Sequence, residues 1–454
     1  MIRQPPTRDR ADGTRRPDAP APRGPRLLLV ATMPWMFPAR LALAFRRIGF
    51  HVDAVCRTGH PLRLLAEPIR THQLGWLREG ASIQAAIRRA NPDLIIPCDD
   101  PAVLILHHLH RRDPRLSALI ERSLGNPAAF GVAENRSQLV ALARSLGLRV
   151  PNSKVTPNRR ALTELSAQVG YPCVLKRDQT WGGIGVTVVQ NAQQLEGAWS
   201  WIAGGLSTLR AGKAVWRDGR PRTLLDMLIA RSTRVEVQQF VPGTPANRAV
   251  LCRDGKVIAG ISVLALQTAS PGGPASVVQI VDHPEMTHVV ETLVRELGLS
   301  GFCGFDFMVS SRGHAYLLEL NPRATPVAHL AIPDGTHLPT ALYRDLTGLP
   351  PAAAVAPVPG DLVAIFPTEW QRDPLSTSSP NVHHDAPWDE PGLLARAGLV
   401  TGASVSGPSL ACARREMLRP QVGAPGVPSS ASNPAPIAGL AAADLRLTDE
   451  HRIR

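Results

Sequence analysis

The 454-residue sequence is poor in lysine, which occurs only at positions 154, 176, 213 and 256, so arginine supplies most of the positive charge. It also lacks any run near the ~18 apolar residues that suggest a membrane span, and no such span is predicted. The N-terminus has no apolar segment behind its basic residues, so no secretory signal is expected. These absences leave a non-membrane protein in which each lysine is comparatively informative.

Cysteines are few and scattered. The six, at positions 56, 98, 173, 252, 303 and 412, form no C-x-x-C pair. This pattern favours reduced, mostly buried thiols in a cytoplasmic protein, and no zinc site is expected. The net charge of +13 can attract nucleic acid or acidic substrates. No nucleic-acid motif or aromatic-interleaved basic run accompanies it, so a nucleic-acid partner is not expected.

Composition indicates a globular centre between two atypical ends. Hydrophobic residues make up 44% and charged residues 19% of the chain, as in ordinary soluble proteins, and the length allows two or three domains. Residues 1–25 form a basic tail of Arg, Pro, Asp and Ala that should be disordered, although a misplaced start codon explains it equally well. Residues 403–454, rich in Ala, Pro, Ser and Gly, should be a disordered tail.

Residues 26–125 alternate between strand and helix patterns. Strands are predicted at Arg26–Met33, His51–Cys56 and Asp93–Pro97, with helices at Ala39–Ile48 and Ser82–Arg89. Alternation of this kind indicates a parallel sheet with crossover helices, in a small doubly wound α/β domain.

Ligands of such sheets bind at the carboxyl ends of the strands. The loop Thr32–Phe37 and the pair Asp99-Asp100 are expected at that edge. Asp99 alternatively only begins the next helix as its cap. No G-x-G-x-x-G follows the first strand, so a dinucleotide cofactor is disfavoured.

A glycine-rich loop follows a strand that ends on a lysine. The strand runs to Lys176, and the loop contains Gly182-Gly183-Ile184-Gly185 before the next strand. Glycines allow backbone N–H groups to approach phosphate oxygens, and lysine adds a point charge. Phosphate binding is favoured over a purely structural turn. The loop is not a Walker motif, because G-K-[ST] is missing and no helix follows directly.

Acidic and amide side chains share one face of a predicted hairpin between Gly304 and Arg323. The polar turn Ser310–Gly313 separates two apolar strands. Side chains alternate between faces along a strand, so Glu319 and Asn321 share one face and the flanking Leu318 and Leu320 the other. A turn centred on Ser311-Arg312 pairs Asp306 with Leu317 and places Asp306 on the face of Glu319.

Hard oxygen ligands of this kind suit Mg²⁺, which proteins commonly hold with one or two carboxylates beside substrate phosphates. The alternative is a solvent-facing polar edge that ends at Asn321-Pro322. The flanking Phe, Met, Leu and Tyr residues argue for burial, and buried carboxylates need a compensating cation. Asp306, Glu319 and Asn321 are therefore predicted metal ligands, and Arg323 is placed to reach a phosphate with its planar donors.

The order of these motifs resembles the ATP-grasp superfamily with its preceding domain, over about residues 26–345. The motifs are a helix at Asn135-Arg136, the Lys176 strand, the glycine loop, the segment Gln238-Gln239-Phe240-Val241-Pro242-Gly243 and the acidic hairpin. The resemblance implies an α/β and α+β fold. A doubly wound parallel-sheet domain (26–125) precedes a two-subdomain ATP-grasp domain (126–345), an extension (346–402) and disordered termini.

The resemblance also implies residue roles around ATP and Mg²⁺, or Mn²⁺ in its place. Lys176 contacts the α- and β-phosphates, and the loop with Gly182, Gly183 and Gly185 closes over the β- and γ-phosphates. The remaining implied roles are adenine contacts from the backbone of Gln238 and Val241, metal binding by Asp306, Glu319 and Asn321, and a place near the transferred phosphoryl group for Arg323. Arg136 stands where many members have a phosphate-contacting lysine. No acidic ribose ligand is evident, since Pro245 and Asn247 occupy that region.

The implied activity is that of a carboxylate–amine or carboxylate–thiol ligase in the cytoplasm. ATP phosphorylates a small-molecule carboxylate, and an amine or thiol then displaces phosphate from the acyl phosphate. Catalysis of this type depends mainly on positioning and charge neutralisation, with Lys176 and Arg323 as the catalytic cations. A phosphotransferase and a non-catalytic nucleotide-binding protein are the alternatives. The intact acidic set argues against the second, and a homodimer is compatible with the resemblance.

Overall fold

The computed structural model describes residues 24–156, 158–177, 185–203, 235–270, 272–350, 353, 355–373 and 381–398. The chain divides into one unit that ends at Thr401 and a second, Gly402–Arg454, which lies outside the described residues together with positions 1–23. The predictions of disordered tails therefore fall almost wholly outside them. Within the described ranges, every helix is too short or too polar to traverse a lipid bilayer.

A parallel sheet of four strands forms the N-terminal domain. Its strands are β1 (Arg26–Val30), β2 (His51–Cys56), β3 (Arg70–Gln73) and β4 (Leu94–Pro97), in the order β3-β2-β1-β4. The three predicted strands are present. The edge strand β3 was not predicted, because its sequence Arg-Thr-His-Gln contains no aliphatic or aromatic core residue.

Helices cover both faces of this sheet, as a doubly wound fold requires. They are α1 (Phe37–Arg47), α2 (Glu79–Ala90), α3 (Asp100–Arg112) and α4 (Pro114–Leu124). Alternate residues of β1 serve the two faces: Leu27 and Leu29 pack with α1, whereas Leu28 and Val30 pack with α2 and α3. This alternation explains why the strand reads as a continuous apolar run.

The next segment builds a smaller antiparallel sheet in the order β5-β8-β6-β7. Its elements are α5 (Phe130–Glu134), α6 (Arg136–Ser145), β5 (Ser153–Thr156), α7 (Arg159–Val169), β6 (Cys173–Arg177), β7 (Val186–Val189), α8 (Ala192–Ala203) and β8 (Val235–Gln239). One face packs on α7 and α8 through Leu175, Val235 and Val237. The predicted loop and helix within 200–232 lie mostly outside the described residues, as does the loop 178–184.

A seven-stranded sheet follows in the order β13-β12-β9-β10-β11-β14-β15. Its strands are β9 (Thr244–Arg253), β10 (Lys256–Thr268), β11 (Ala275–Val281), β12 (Gly301–Val309), β13 (Ala315–Asn321), β14 (Leu362–Ala364) and β15 (His383–His384). The helices of this part are α9 (Pro284–Leu297), α10 (Leu338–Thr347), α11 (Thr368–Arg372) and α12 (Pro391–Arg396). Strands β14 and β15 show that the predicted extension adds to the central sheet.

The two faces of the seven-stranded sheet have different partners. Phe305, Phe307 and Leu317 lie on the face that packs against α9. On the other face, Leu251 and Phe302 share a core with α1 and the N-terminal sheet. The N-terminal domain therefore rests on the same face of the large sheet that carries the polar end of β12 and β13.

The β12–β13 hairpin differs from its predicted register. Asp306 pairs with Glu319 and not with Leu317, because the register shifts between Asp306 and Phe307, which pairs with Leu317. This β-bulge leaves Leu318 as the additional residue, and its side chain is only partly buried, contrary to prediction. The predicted α/β and α+β architecture, with its parallel-sheet N-terminal domain, is confirmed.

Candidate active site

Asp306, Glu319 and Asn321 lie on one face of the β12–β13 hairpin. Asp306 and Glu319 are direct cross-strand neighbours, and Asn321 pairs with Gly304, two residues before Asp306. Asp306 accepts hydrogen bonds from Asn321 Nδ2 at 2.8 Å and from Asn247 Nδ2 at 2.6 Å. The structure thus brings the three predicted metal ligands together and adds Asn247 from β9.

The two carboxylates of this face ionise differently. Burial raises the pKa of Asp306 to about 6, and the negative charge of Glu319 adds to the effect. Burial also opposes ionisation of Glu319, but Arg136, Lys176 and Arg323 together lower its pKa. Glu319 is therefore the more readily ionised of the two, while Asp306 is the carboxyl that a further cation would stabilise most.

Arg136 reaches the acidic face from the start of α6. Asn135 caps this helix, since its side chain accepts a hydrogen bond from the backbone of Gln138 at 3.2 Å. Arg136 then donates from Nε and Nη2 to Glu319 Oε2, at 3.1 and 2.5 Å. The arginine that stands in place of the lysine of many ATP-grasp members is therefore part of the site.

Lys176 faces the acidic hairpin from the small sheet. It is only 8% exposed, and burial lowers its pKa to about 8, with a contribution from Arg136. Glu236, Glu319 and Asp306 act in the opposite direction. Since the two acidic hairpin residues and Arg136 all act on Lys176, its face of the small sheet looks onto the face that carries Asp306 and Glu319.

Arg323 connects the hairpin to the N-terminal domain. It donates from Nη2 to Asn321 Oδ1 at 2.9 Å and from Nε to Asp100 Oδ1 at 2.8 Å. Its guanidinium carbon lies 5.4 Å from the ring centroid of Trp35. Burial disfavours its charge, but Asp100 raises the pKa of Arg323, so it remains a cation.

The carboxyl ends of β1 and β4 meet beside Arg323, as predicted for Thr32–Phe37 and Asp99-Asp100. Asp99 accepts hydrogen bonds from the backbone of Thr32 at 2.6 Å and of Met33 at 2.9 Å. It also accepts one from Ala102 N at 2.9 Å, so it caps α3 as the alternative interpretation held. Asp99 is thus structural, whereas Asp100 points to the hairpin.

The segment proposed for the base connects the two sheets. Gln238 lies in β8 and is 2% exposed, and Val241 is buried just after the strand. A Cβ atom at Gly243 would lie 2.2 Å from the carbonyl oxygen of Val309, so only glycine fits there. Gly182 and Gly183 lie outside the described residues. Gly185 has a φ of +76°, and its carbonyl accepts a hydrogen bond from Arg177 N at 2.8 Å.

Two contributing residues were not predicted for their observed roles. Asn247 was assigned to the ribose region, but it pairs with Asp306 because β9 lies next to β12 in the sheet. Asp100 was placed at the ligand edge without its Arg323 partner, which is 223 positions distant. Strand order and interdomain contacts of this kind have no local sequence signal.

The residues present fit a divalent cation. Two carboxylates and an amide oxygen are hard donors, and because burial and Glu319 raise the pKa of Asp306, a cation beside it would favour its ionised form. Asn321 directs its nitrogen at Asp306 and its oxygen at Arg323, so its oxygen would join the metal set only after the amide turns and releases both hydrogen bonds. Asp306, Glu319 and Asn321 therefore form a chemically suitable set for Mg²⁺.

Comparison with known proteins agrees with this geometry. Residues 135–332 match the family described as carbamoyl-phosphate synthase L chain, ATP binding domain. The carbamoyl phosphate synthase large chain of Vibrio cholerae is 28% identical over 202 residues, which cover 44% of this chain and 17% of that protein. The chain thus matches less than a fifth of this curated relative.

Solved structures show the same fold. The biotin carboxylase domain of Hydrogenobacter thermophilus 2-oxoglutarate carboxylase, solved with MgADP and bicarbonate, has a TM-score of 0.52 and 12% identity, covering 73% of this chain and 71% of that one. N5-carboxyaminoimidazole ribonucleotide synthetase of Thermus thermophilus has a TM-score of 0.51 and 17% identity, covering 72% and 80%. The predicted resemblance to the ATP-grasp superfamily is therefore confirmed for residues 135–332, and the solved structures agree with it in fold.

Proposed function

We propose that the protein is an ATP- and Mg²⁺-dependent ligase that joins a carboxylate to an amine. The observation that carries the proposal is the convergence of three cations on one acidic face. Lys176 comes from the small sheet, Arg136 from α6 and Arg323 from the end of the hairpin, all around Asp306 and Glu319. A triphosphate and its metal together require cationic side chains for the phosphates and carboxylates for the metal. A purely structural ion pair would not require three cations around two carboxylates.

The metal is assigned to Asp306, Glu319 and Asn321. When bound, Mg²⁺ supplies positive charge that neutralises the phosphate oxygens. Lys176 and Arg136 orient the triphosphate by charge-assisted hydrogen bonds, and the loop with Gly182, Gly183 and Gly185 covers it. The backbone of Gln238 and Val241 positions the base, and Arg323 stabilises the group in transfer. Mn²⁺, which prefers the same oxygen ligands, is an alternative metal.

The reaction then has two steps. A carboxylate oxygen of the first substrate attacks the γ-phosphorus of ATP, so that ADP leaves and an acyl phosphate forms. The second substrate, bound as an ammonium ion, loses a proton to solvent, and its neutral amine then attacks the acyl carbon. Phosphate leaves with the C–O electron pair, and the nitrogen loses a second proton. Positioning and charge neutralisation by Lys176, Arg136 and Arg323 are sufficient, because both nucleophiles arrive with the substrates.

The amine substrate is assigned to the carboxyl ends of β1 and β4. Asp100 Oδ2 is buried and has no hydrogen-bond partner among the described residues. The Trp35 ring lies beside Arg323, which Asp100 also holds. A carboxylate oxygen and an aromatic face together suit an ammonium group, through an ion pair and a cation–π contact. This places the amine next to the arginine proposed for phosphoryl transfer.

The related proteins support this class of reaction. The related proteins include carbamoyl phosphate synthase and N5-carboxyaminoimidazole ribonucleotide synthetase. A cytoplasmic location and a homodimeric state belong to the same proposal, and size-exclusion chromatography with light scattering tests the latter.

The test is a screen of carboxylic acids and amines for ADP release, with mass spectrometry of the products. The proposal expects free phosphate and a new amide that appear only when ATP, Mg²⁺, an acid and an amine are all present. Glu319→Gln should abolish the signal, whereas Glu296→Gln, on the exposed side of α9, should retain it. A stable phosphorylated product without an amide would assign a phosphotransferase, and absence of MgATP binding would overturn the nucleotide site.

A further inference from the structure

Glu236 is a buried carboxylate without a hydrogen-bond partner. It is 1% exposed, and within the described residues neither Oε1 nor Oε2 accepts a hydrogen bond. Two positions along β8, Gln238 is 2% exposed, and its Nε2 likewise lacks a partner there. Buried polar groups are normally satisfied, so two unsatisfied groups on one strand call for an explanation.

Both side chains lie on the face of the small sheet that carries Lys176. Glu236 pairs with Lys176 across the β6–β8 ladder, and Gln238 pairs with Val174, two residues earlier. The intervening Val237 belongs to the opposite face, in the core with α7 and α8. Glu236 and Gln238 therefore look toward the proposed nucleotide cleft, as Lys176 does.

An unpaired carboxylate at this depth is unfavourable unless a ligand brings hydrogen-bond donors. Glu236 acts on the pKa of Lys176, but no hydrogen bond joins the two side chains in the described structure. A nucleotide adds phosphates, which compete for the lysine. The carboxylate then needs a donor that belongs to the nucleotide itself.

We propose that Glu236 and Gln238 read the base of the nucleotide, and that they select a purine with a 6-amino group. Glu236 accepts a hydrogen bond from the exocyclic amine of adenine, and Gln238 Nε2 donates to an adjacent ring nitrogen. The side chains thus add base specificity to the backbone contacts assigned to Gln238 and Val241. This inference rests on the proposed function, since it concerns the same nucleotide cleft.

The proposal predicts strong discrimination against a 6-oxo purine. Hypoxanthine carries an oxygen where adenine carries the amine, so in ITP this oxygen would face the carboxylate of Glu236. Sites that hydrogen-bond an N–H group reject analogues without it by as much as ~10⁴-fold, because their buried polar groups stay unpaired. Here we expect MgATP to bind at least ~100-fold more tightly than MgITP.

The experiment measures Kd for MgATP and MgITP by calorimetry with wild type, Glu236→Leu and Glu236→Gln. Leucine removes the acceptor and the repulsion, so the ITP/ATP ratio of Kd should fall to within ~3-fold. Glutamine can rotate its amide to donate to the 6-oxo group and should give an intermediate ratio. Glu164→Gln, an exposed change on α7 behind the same sheet, should keep the wild-type ratio.

The outcomes separate base recognition by Glu236 from a positioning role and from failure of the nucleotide site. Discrimination that is present in wild type, reduced in Glu236→Gln and lost in Glu236→Leu, with melting temperatures no lower than that of wild type, supports the proposal. Equal weakening of both nucleotides by Glu236→Leu would make Glu236 a positioning partner of Lys176 and overturn base recognition. Wild-type preference for MgITP or MgGTP would also overturn it while leaving a nucleotide-dependent ligase intact. If wild type binds no nucleotide, the proposed function fails together with this inference.

Discussion

Replacement of Glu319 by glutamine tests the acidic face most directly. The substitution keeps the side-chain volume and one acceptor oxygen for Arg136, but removes a negative charge. Glu319 and Asp306 are directly opposed in the hairpin, and directly opposed side chains lie ~5 Å apart. Two like charges at that distance repel by about 3 kcal/mol at an effective dielectric constant of ~20.

The repulsion and the proposed catalytic role have opposite consequences in this variant. Loss of the repulsion offsets part of the lost attraction to Arg136, Lys176 and Arg323, which together lower the pKa of Glu319, so the metal-free variant should fold and melt only slightly below the wild-type temperature. Metal-dependent turnover should fall at least ~100-fold, which corresponds to about 2.7 kcal/mol of barrier. The physical reason is that charge neutralisation of the triphosphate would depend on the metal that Glu319 is proposed to anchor.

The assay is ADP release as a function of Mg²⁺ concentration, with a parallel thermal melt without metal. Glu296→Gln makes the same chemical change at an exposed position of α9, behind the same strands, and should match wild type in both measurements. Near-full activity of Glu319→Gln would refute the metal assignment. A variant that fails to fold would instead show that Glu319 is structural.

The remaining predictions concern the nucleotide, Lys176 and the hairpin core. MgATP at 100 times its Kd should stabilise the fold by about 2.7 kcal/mol, seen as a rise in melting temperature, and no rise at millimolar MgATP contradicts the nucleotide site. Lys176→Ala should weaken MgATP binding ~10-fold or more while leaving the fold intact, and unchanged affinity would remove Lys176 from the site. MgATP affinity of wild type should also fall as pH rises through about 8, where Lys176 loses its proton, and in Lys176→Ala this dependence should disappear. The pKa of Lys176 in the folded protein lies below its unfolded value of 10.5, so the free energy of unfolding without nucleotide should rise between about pH 8 and 10.5. Denaturant unfolding of wild type and Lys176→Ala across this pH range tests the expectation. Leu317→Ala should cost ~2–5 kcal/mol in denaturant unfolding, since Leu317 is fully buried opposite Phe307, whereas a loss below ~1 kcal/mol would contradict its place in the core.

The acidic face was predictable because strand periodicity is a local property. Glu319 and Asn321 are two residues apart, so they share a face whatever strand lies beside them. The pairing partner of Asp306 was not predictable in the same way. A bulge adds one residue to β13, and the residue type at Leu318 does not predict it. The face assignment was right because it depended on spacing, while the register depended on the bulge.

Long-range partners show the other limit of sequence reasoning. Asn247 approaches Asp306 only because β9 lies between β12 and β10, an order that the sequence does not state. The edge strand β3 lacks aliphatic and aromatic residues and therefore has no hydrophobic period. Composition indicated reduced cysteines, and the five within the described residues are indeed free and buried.

The two hydrogen bonds of Arg323 link ligand binding at Asp100 to metal binding at the proposed site that includes Asn321. One side of its guanidinium holds Asp100 in the N-terminal domain, and the other holds Asn321, one of the proposed metal ligands. A ligand that neutralises Asp100 would leave the positive charge of Arg323 less compensated beside Asn321, and would so lower the affinity of the proposed site for metal. Reciprocity then requires metal to change the affinity for that ligand by the same factor, whichever arrives first.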